Sequence, residues 1–177
     1  LSAQDATALT LLEEAGARVR VVQADVSKLE DVVRLLEESQ VQAPLRGIIH
    51  AAGVLDDGIL LQQSAERFER VMAPKATGAW HLHRLTEGLP LDFFVCFSSI
   101  ASLLGLRGQG NYAAANAFLD TLAHHRRALG LPALSINWGA WVEVGMAAEL
   151  ARSSSMEAIS PEQGVQLLGI LMERETP

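Results

Sequence analysis

The sequence predicts an α/β fold, a doubly wound parallel sheet, and three observations carry that reading. Short apolar runs alternate with longer stretches whose apolar residues recur at three- and four-residue spacing, the pattern of βα units on a parallel sheet. Four of the apolar runs end in a polar residue: Asp25, His50, Ser99 and Asn137. Ligands bind at the carboxyl ends of strands in such sheets, so these endings predict a lined cleft along one edge. The chain of 177 residues, 49% hydrophobic and 20% charged, is long enough for one domain with a sizeable core.

The elements follow in order. Leu9 to Glu14 read as the end of a helix closed by Gly16. Val19 to Ala24 are apolar and β-branched, a buried strand ending at Asp25. Ser27 and Glu30 have capping-box spacing, and behind them Leu29, Val32, Val33 and Leu36 share a helical face. Gly47 to His50 form the second strand, followed by Ala51-Ala52-Gly53. A long helix begins near Ser64. Phe93 to Phe97 form the third strand, ending at Ser98-Ser99, and a helix from about Tyr112 to Arg127 stops at Gly130. Leu134 to Ile136 form the fourth, ending at Asn137-Trp138-Gly139. Ser153 to Ser155 fall in a loop, and Ser160-Pro161-Glu162-Gln163 is a strong helix start with proline at its first position.

Composition removes several function classes. A formal charge of -7 without a Lys/Arg block argues against nucleic acid or an anionic membrane as the partner. No apolar run is long enough to span a bilayer as a helix, and Leu1 to Thr7 lack the basic and apolar regions of a signal peptide. Cys96 is the only cysteine, which excludes an internal disulfide and fits a reducing cytoplasm. His50 has no second His or Cys at zinc-type spacing, so no metal site is expected.

Two features stand out chemically. Phe68, Val71, Met72, Lys75, Ala79 and Leu82 follow helical spacing, which puts a lysine on the core-facing side directly after Pro74. A buried ammonium is costly unless it is paired. A lysine snorkelling from a helix kink and a functional lysine are equally good readings of that spacing. Tyr112 and Asn116 lie one helical turn apart and share a face. For an arbitrary pair of this kind, a core tyrosine beside a hydrogen-bonded amide is the simpler account. The cluster His124, His125, Arg126 and Arg127 reads as a solvated helix end facing the dipole, and Trp80 reads as core.

Taken together the motifs resemble a known family. Ser99, Tyr112 thirteen positions later and then Asn116 sit within FSSIASLLGLRGQGNYAAANAFLD. With HAAG at 50–53, PKATGAW at 74–80 and INWGAW at 136–141, the chain closely resembles the ketoreductase domain of modular polyketide synthases, in the short-chain dehydrogenase/reductase superfamily. The resemblance runs through nearly the whole chain in the correct order, and it implies a Rossmann-like sheet. Ordinary members of the superfamily carry a lysine four residues after the tyrosine, where this chain has Asn116. The polyketide ketoreductases carry it on the earlier helix instead, matching Lys75.

The resemblance implies NADPH-dependent reduction of a β-ketoacyl group carried on an acyl carrier protein, with other domains of the same synthase as partners. Tyr112 would be the general acid that protonates the developing alkoxide. A free tyrosine ionises near pH 10, and a nearby Lys75 cation would favour its phenolate. Lys75 would also contact the nicotinamide ribose. Ser99 would hydrogen-bond the substrate carbonyl oxygen, and Asn116 would order the lysine or a proton-relay water. Asp25 and Val26 would meet the adenine, His50, Ala51, Ala52 and Gly53 would flank the cofactor, and Trp138 and Gly139 would line its nicotinamide side. Leu55-Asp56-Asp57 matches the signature of B-type ketoreductases, which implies a D-series alcohol. Leu104 stands where A-type enzymes carry tryptophan, and Gln109 belongs to the same stereocontrol set. Ala114 replaces a proline associated with epimerised substrates, so no epimerisation is expected. Asp57-Gly58 is also a good turn dipeptide in its own right.

A dinucleotide site further requires a Gly-rich turn after the first strand, and no G-x-G-x-x-G is present. Residues 1–177 therefore read as the catalytic part of one ketoreductase domain, without the strand, loop and helix of the phosphate site and without the last strand. In the order 3-2-1-4-5-6 the run Val19 to Ala24 would be the third strand, deprived of its neighbours. The other functional readings are a short-chain dehydrogenase acting on free small ketones and a non-catalytic ketoreductase-like fragment.

Overall fold

The computed structural model describes residues 3–41, 43–142, 145–146 and 158–173. The expected loop at Ser153 to Ser155 lies outside them. Three parallel strands, β1 (Gly47–His50), β2 (Phe93–Ser99) and β3 (Leu134–Trp138), form a sheet in the order β1-β2-β3. The helices are α1 (Ala3–Glu14), α2 (Leu29–Ser39), α3 (Ala65–Met72), α4 (Gly78–Thr86), α5 (Ala101–Leu104), α6 (Gly110–Ala128) and α7 (Pro161–Met172).

Both faces of the sheet are covered, as a parallel sheet requires. Side chains alternate along β2. Phe94 and Cys96 point into a cluster with Val32 and Leu36 of α2, Ala79 and Leu82 of α4, and Leu119 and Leu122 of α6. Val95 points the other way and joins Ile136 and Trp138, which pack against Trp141, Ile159 and α7. The register pairs Gly47 with Phe93, and a Cβ at Gly47 would collide with the Phe93 ring. On the far face the same relation ties Gly164 of α7 to the Trp141 ring. The capping box expected at the start of α7 is present in full between Ser160 and Gln163.

The first expected strand is a correction. Val19–Ala24 forms no ladder among the described residues, and Val21 is exposed. A strand exists only through a neighbour's hydrogen bonds, and the sheet of the described residues contains β1, β2 and β3 without this run. The capping box at Ser27 is also corrected. The Ser27 hydroxyl and amide both donate to Asp25 Oδ1, at 2.7 and 3.0 Å. Helix α2 starts one residue later, with Lys28 at its N-cap and no side-chain cap bond. Ser64 does cap α3, accepting from the Arg67 amide.

The helix expected from Ser64 does not run through Pro74 as a simple kink. Residues Ala73–Thr77 form a π-helical turn between α3 and α4. The wider turn accommodates the missing proline donor and re-phases the helix, and such turns concentrate at functional sites.

Two expectations about burial fail in opposite directions. Trp80 is 41% exposed, its ring 5.0 Å from that of His83 and 6.4 Å from that of His125. Arg126 is fully buried. Its guanidinium lies 4.0 Å over the Phe94 ring, its Nε donates to Pro132 O at 3.2 Å, and its Nη1 donates to His83 Nδ1 at 3.1 Å. A planar, weakly hydrated cation tolerates such a site where a lysine would not.

Candidate functional site

The carboxyl ends of the three strands open into a cleft of about 380 Å³. Ser99 at the end of β2, Tyr112 in the first turn of α6, Lys75 in the π-helical turn and Trp138 at the end of β3 all line it. So do Ala51, Gly53, Leu55, Gln109 and Gly139. Residues distant in sequence thus meet where the fold class predicted.

Lys75 is 2% exposed. Its Nζ donates to Phe97 O at 2.9 Å and stands 5.4 Å from the centre of the Tyr112 ring. Burial pushes its ammonium down to about 8, against the attraction of Cys96 and Asp120. The Cys96 thiol is itself pushed up to about 12 by burial and is uncharged at neutral pH, so Asp120 is the anion that counts. Glycine at 53 gives this lysine room. A Cβ there would come within 2.9 Å of Lys75 Cε.

Asp120 is held by a hydroxyl and amide network. Ser135 Oγ donates to one carboxylate oxygen at 2.6 Å, and Ser102 Oγ and Asn137 Nδ2 donate to the other at 2.7 and 2.9 Å. Burial acts to raise its carboxyl, and these donors together with Ser98 outweigh it, leaving the group below the usual range. Asn137, expected at the cleft by its place at a strand end, is committed to this network. Asp120 carried no motif signal beyond its position, one turn after Asn116.

The Ser99 hydroxyl accepts from the Ala101 amide at 3.2 Å, which leaves its own proton free to be donated. Asn116 is fully buried, its Nδ2 donating back to Tyr112 O at 2.8 Å while its Oδ1 has no partner. The tyrosine and asparagine therefore share a face as their spacing predicts.

His50 is buried behind the cleft, its Nε2 donating to Lys75 O at 3.2 Å. Burial lowers its imidazole from 6.5 to about 4. The unfolded chain therefore binds a proton between about pH 6.5 and 4 that the folded chain refuses. Stability is fully present above pH 6.5 and falls as the pH drops through that interval, by about 3 kcal/mol in all. A His50→Gln variant, which can still donate to Lys75 O, should lose this part of the acid sensitivity. Equal acid-unfolding curves for parent and variant would refute the assignment.

Other expected residues lie elsewhere. Asp25 is exposed, held low by Ser27, with Val26 packed against Gly78. Ala52 is half-buried and outside the cleft lining. Leu104 is 75% exposed and outside the lining too, where Leu106 takes part instead. Asp56 turns from the cleft: Arg67 Nε and Arg70 Nη1 donate to its two oxygens at 2.7 and 2.9 Å. Asp57 Oδ2 accepts from Gln109 Nε2 at 2.8 Å. Among the described residues no group of three or more His, Cys, Asp or Glu is placed to hold a metal, and no helix is long and apolar enough to cross a membrane.

Comparison with known proteins agrees with this geometry. The family model of the KR domain matches residues 1–143. Polyketide synthase GfsE of Streptomyces halstedii is 46% identical over 174 residues, covering 94% of this chain and 5% of that protein. Mycoketide-CoA synthase of Mycobacterium tuberculosis is 42% identical over 174 residues, 94% of this chain and 4% of the synthase. Among solved structures, A-type ketoreductases from a modular polyketide synthase superpose with a TM-score of 0.89 at 41% identity, over 97% of this chain and 38% of theirs. A ketoreductase domain from the bacillaene assembly line gives 0.89 at 34% identity, over 100% of this chain and 46% of that one. With its ordered motifs gathered at one sheet edge, this chain belongs to the ketoreductase (KR) domain family of polyketide synthases.

Proposed function

We propose that the chain supplies the catalytic residues for NADPH-dependent reduction of a β-ketoacyl group, carried on an acyl carrier protein, to the β-hydroxyacyl group. The observation that carries this reading is the buried Lys75 ammonium 5.4 Å from the Tyr112 ring, in a cleft shared with the Ser99 hydroxyl. The cleft suits the nicotinamide end of a dinucleotide: its walls at Ala51, Gly53 and Gly139 are small, and among the described residues only Phe97 O accepts from the Lys75 ammonium. Lys75, Gly53, Trp138 and Gly139 would hold that end, with Asp25, Val26, His50, Ala51 and Ala52 toward the rest of the cofactor. When bound, NADPH supplies the hydride.

The chain's own residues handle the oxygen. Ser99 donates a hydrogen bond to the ketone oxygen, where negative charge grows. Tyr112 transfers its phenolic proton to that oxygen. Lys75 favours the phenolate left behind, and the Asp120 network favours the charged lysine. Asn116, with a free buried carbonyl oxygen beside Tyr112, orders the lysine or a relaying water. The Leu55-Asp56-Asp57 motif supports a B-type reading, with a product of the D series.

The test is NADPH binding and turnover of a model β-ketoacyl thioester by the full polypeptide that carries this chain, with chiral analysis of the alcohol. Binding with formation of the D-alcohol is expected. Binding without reduction would overturn the substrate class, an L-alcohol would overturn the B-type assignment, and failure to bind would overturn the enzymatic reading.

A further inference from the structure

We infer that Asn111, the residue before the tyrosine, is a positioning residue that locks the Leu55-Asp56-Asp57 loop to Tyr112 and thereby sets which face of the ketone is presented. The inference rests on the reduction proposed above. Asn111 is fully buried although it is polar and sits in the first turn of α6. Both ends of its side chain are used. Its Oδ1 accepts from the Tyr112 amide at 2.8 Å, satisfying a first-turn donor that the helix leaves free. Its Nδ2 donates to Asp56 O at 2.9 Å, across 55 residues of chain. One amide therefore joins the backbone of the general acid to the backbone of the loop.

The loop is fixed from its other side as well. Arg67 of α3 pairs with the Asp56 carboxylate and donates from Nη2 to Asp57 O at 2.6 Å. Gly58 N donates to Gly108 O at 2.8 Å, and Gln63 Nε2 donates to Gly58 O at 2.9 Å. A Cβ at Gly58 would lie 2.7 Å from Arg67 Nη1, so the glycine lets the arginine approach. These bonds engage backbone groups of Asp56, Asp57 and Gly58, while Leu55 at the head of the loop lines the cleft with Tyr112. Asp56 thus acts through its fixed backbone and not by touching substrate. A loop held at this many points has one position relative to the phenol, and a misplacement of about 1 Å costs about 100-fold in rate.

The experiment compares the full polypeptide with its Asn111→Ala, Asn111→Asp and Arg67→Gln variants, scoring kcat, KM and the ratio of D- to L-alcohol from a β-ketoacyl thioester. Asn111→Asp keeps the acceptor for the Tyr112 amide and loses only the donor to the loop. All three variants are expected to erode the alcohol ratio at least about tenfold, with kcat falling more than KM rises. A residue with only a structural role would lower thermal stability and leave the ratio of the folded enzyme intact. Unchanged ratios in folded Asn111→Ala and Asn111→Asp overturn the inference. Should neither Asn111 variant fold, an unchanged ratio in Arg67→Gln overturns it. No alcohol from the parent overturns the reductase reading and this inference with it, which separates the two failures.

Discussion

Replacing Tyr112 by phenylalanine should lower kcat by about 100- to 10,000-fold while leaving NADPH affinity and thermal stability close to those of the parent. The rate loss is that of a general acid removed from the reacting oxygen. The small stability change follows from the structure. Tyr112 is half-buried, and among the described residues the side chains that bond it, Asn111 and Asn116, reach its backbone and not its phenol. Its ring remains available to the cleft wall in the phenylalanine variant. Lys75 keeps its bond to Phe97 O, so the part of the cleft that would hold the cofactor ribose is untouched. Steady-state kinetics, NADPH titration and a thermal melt on one preparation check all three statements. Near-parental kcat would remove Tyr112 from the acid role. A large loss of stability would mean that the phenol is a structural group after all.

How far the sequence reached depends on the kind of information each feature needs. Periodicity is local, and it located β1, β2, β3 and α6 to within a few residues. The three- and four-residue spacing from Phe68 to Leu82 also put Lys75 correctly on a buried face, even though a π-helical turn interrupts the helix there. Features that depend on a distant partner were not legible. Val19 to Ala24 has the composition of a strand, but a ladder is a property of two segments. Arg126 lies in a run of four basic and imidazole side chains that reads as solvated, and only the fold brings the Phe94 ring and His83 beneath it. Asn137 ends a strand as a cleft residue should, yet its amide is drawn back by Asp120, one helix away. Asp56 is legible in sequence only as part of a three-residue signature, while the two arginines that hold its carboxylate come from α3. That Ser99, Tyr112, Lys75, Trp138 and Gly139 share one cleft was legible from order along the chain, and the hydrogen bonds around them were not.

The second large effect separates activity from stability at a single position. Lys75→Met should abolish most of the turnover, by 100-fold or more, without lowering the melting temperature. At neutral pH the parent holds about nine-tenths of its lysines charged, since burial lowers the group only to about 8. Keeping that charge out of water costs about 3 kcal/mol relative to an unfolded lysine near 10.5. Methionine fills a similar volume and removes that cost. Against this stands the bond to Phe97 O, whose loss is worth about 1–3 kcal/mol. The two nearly cancel, so the variant is level with the parent or somewhat above it. The sign of the pH dependence gives an independent reading. The folded lysine releases its proton near 8 and the unfolded one near 10.5, so the unfolded state binds more protons between those values. Parental stability should therefore rise from pH 8 to 10.5 relative to the methionine variant, and the parent's kcat/KM should fall above about pH 8 as the cation is lost. A melting temperature several degrees below the parent's would show the ammonium to be a net stabiliser. Turnover close to the parent's would show that the tyrosine works without it.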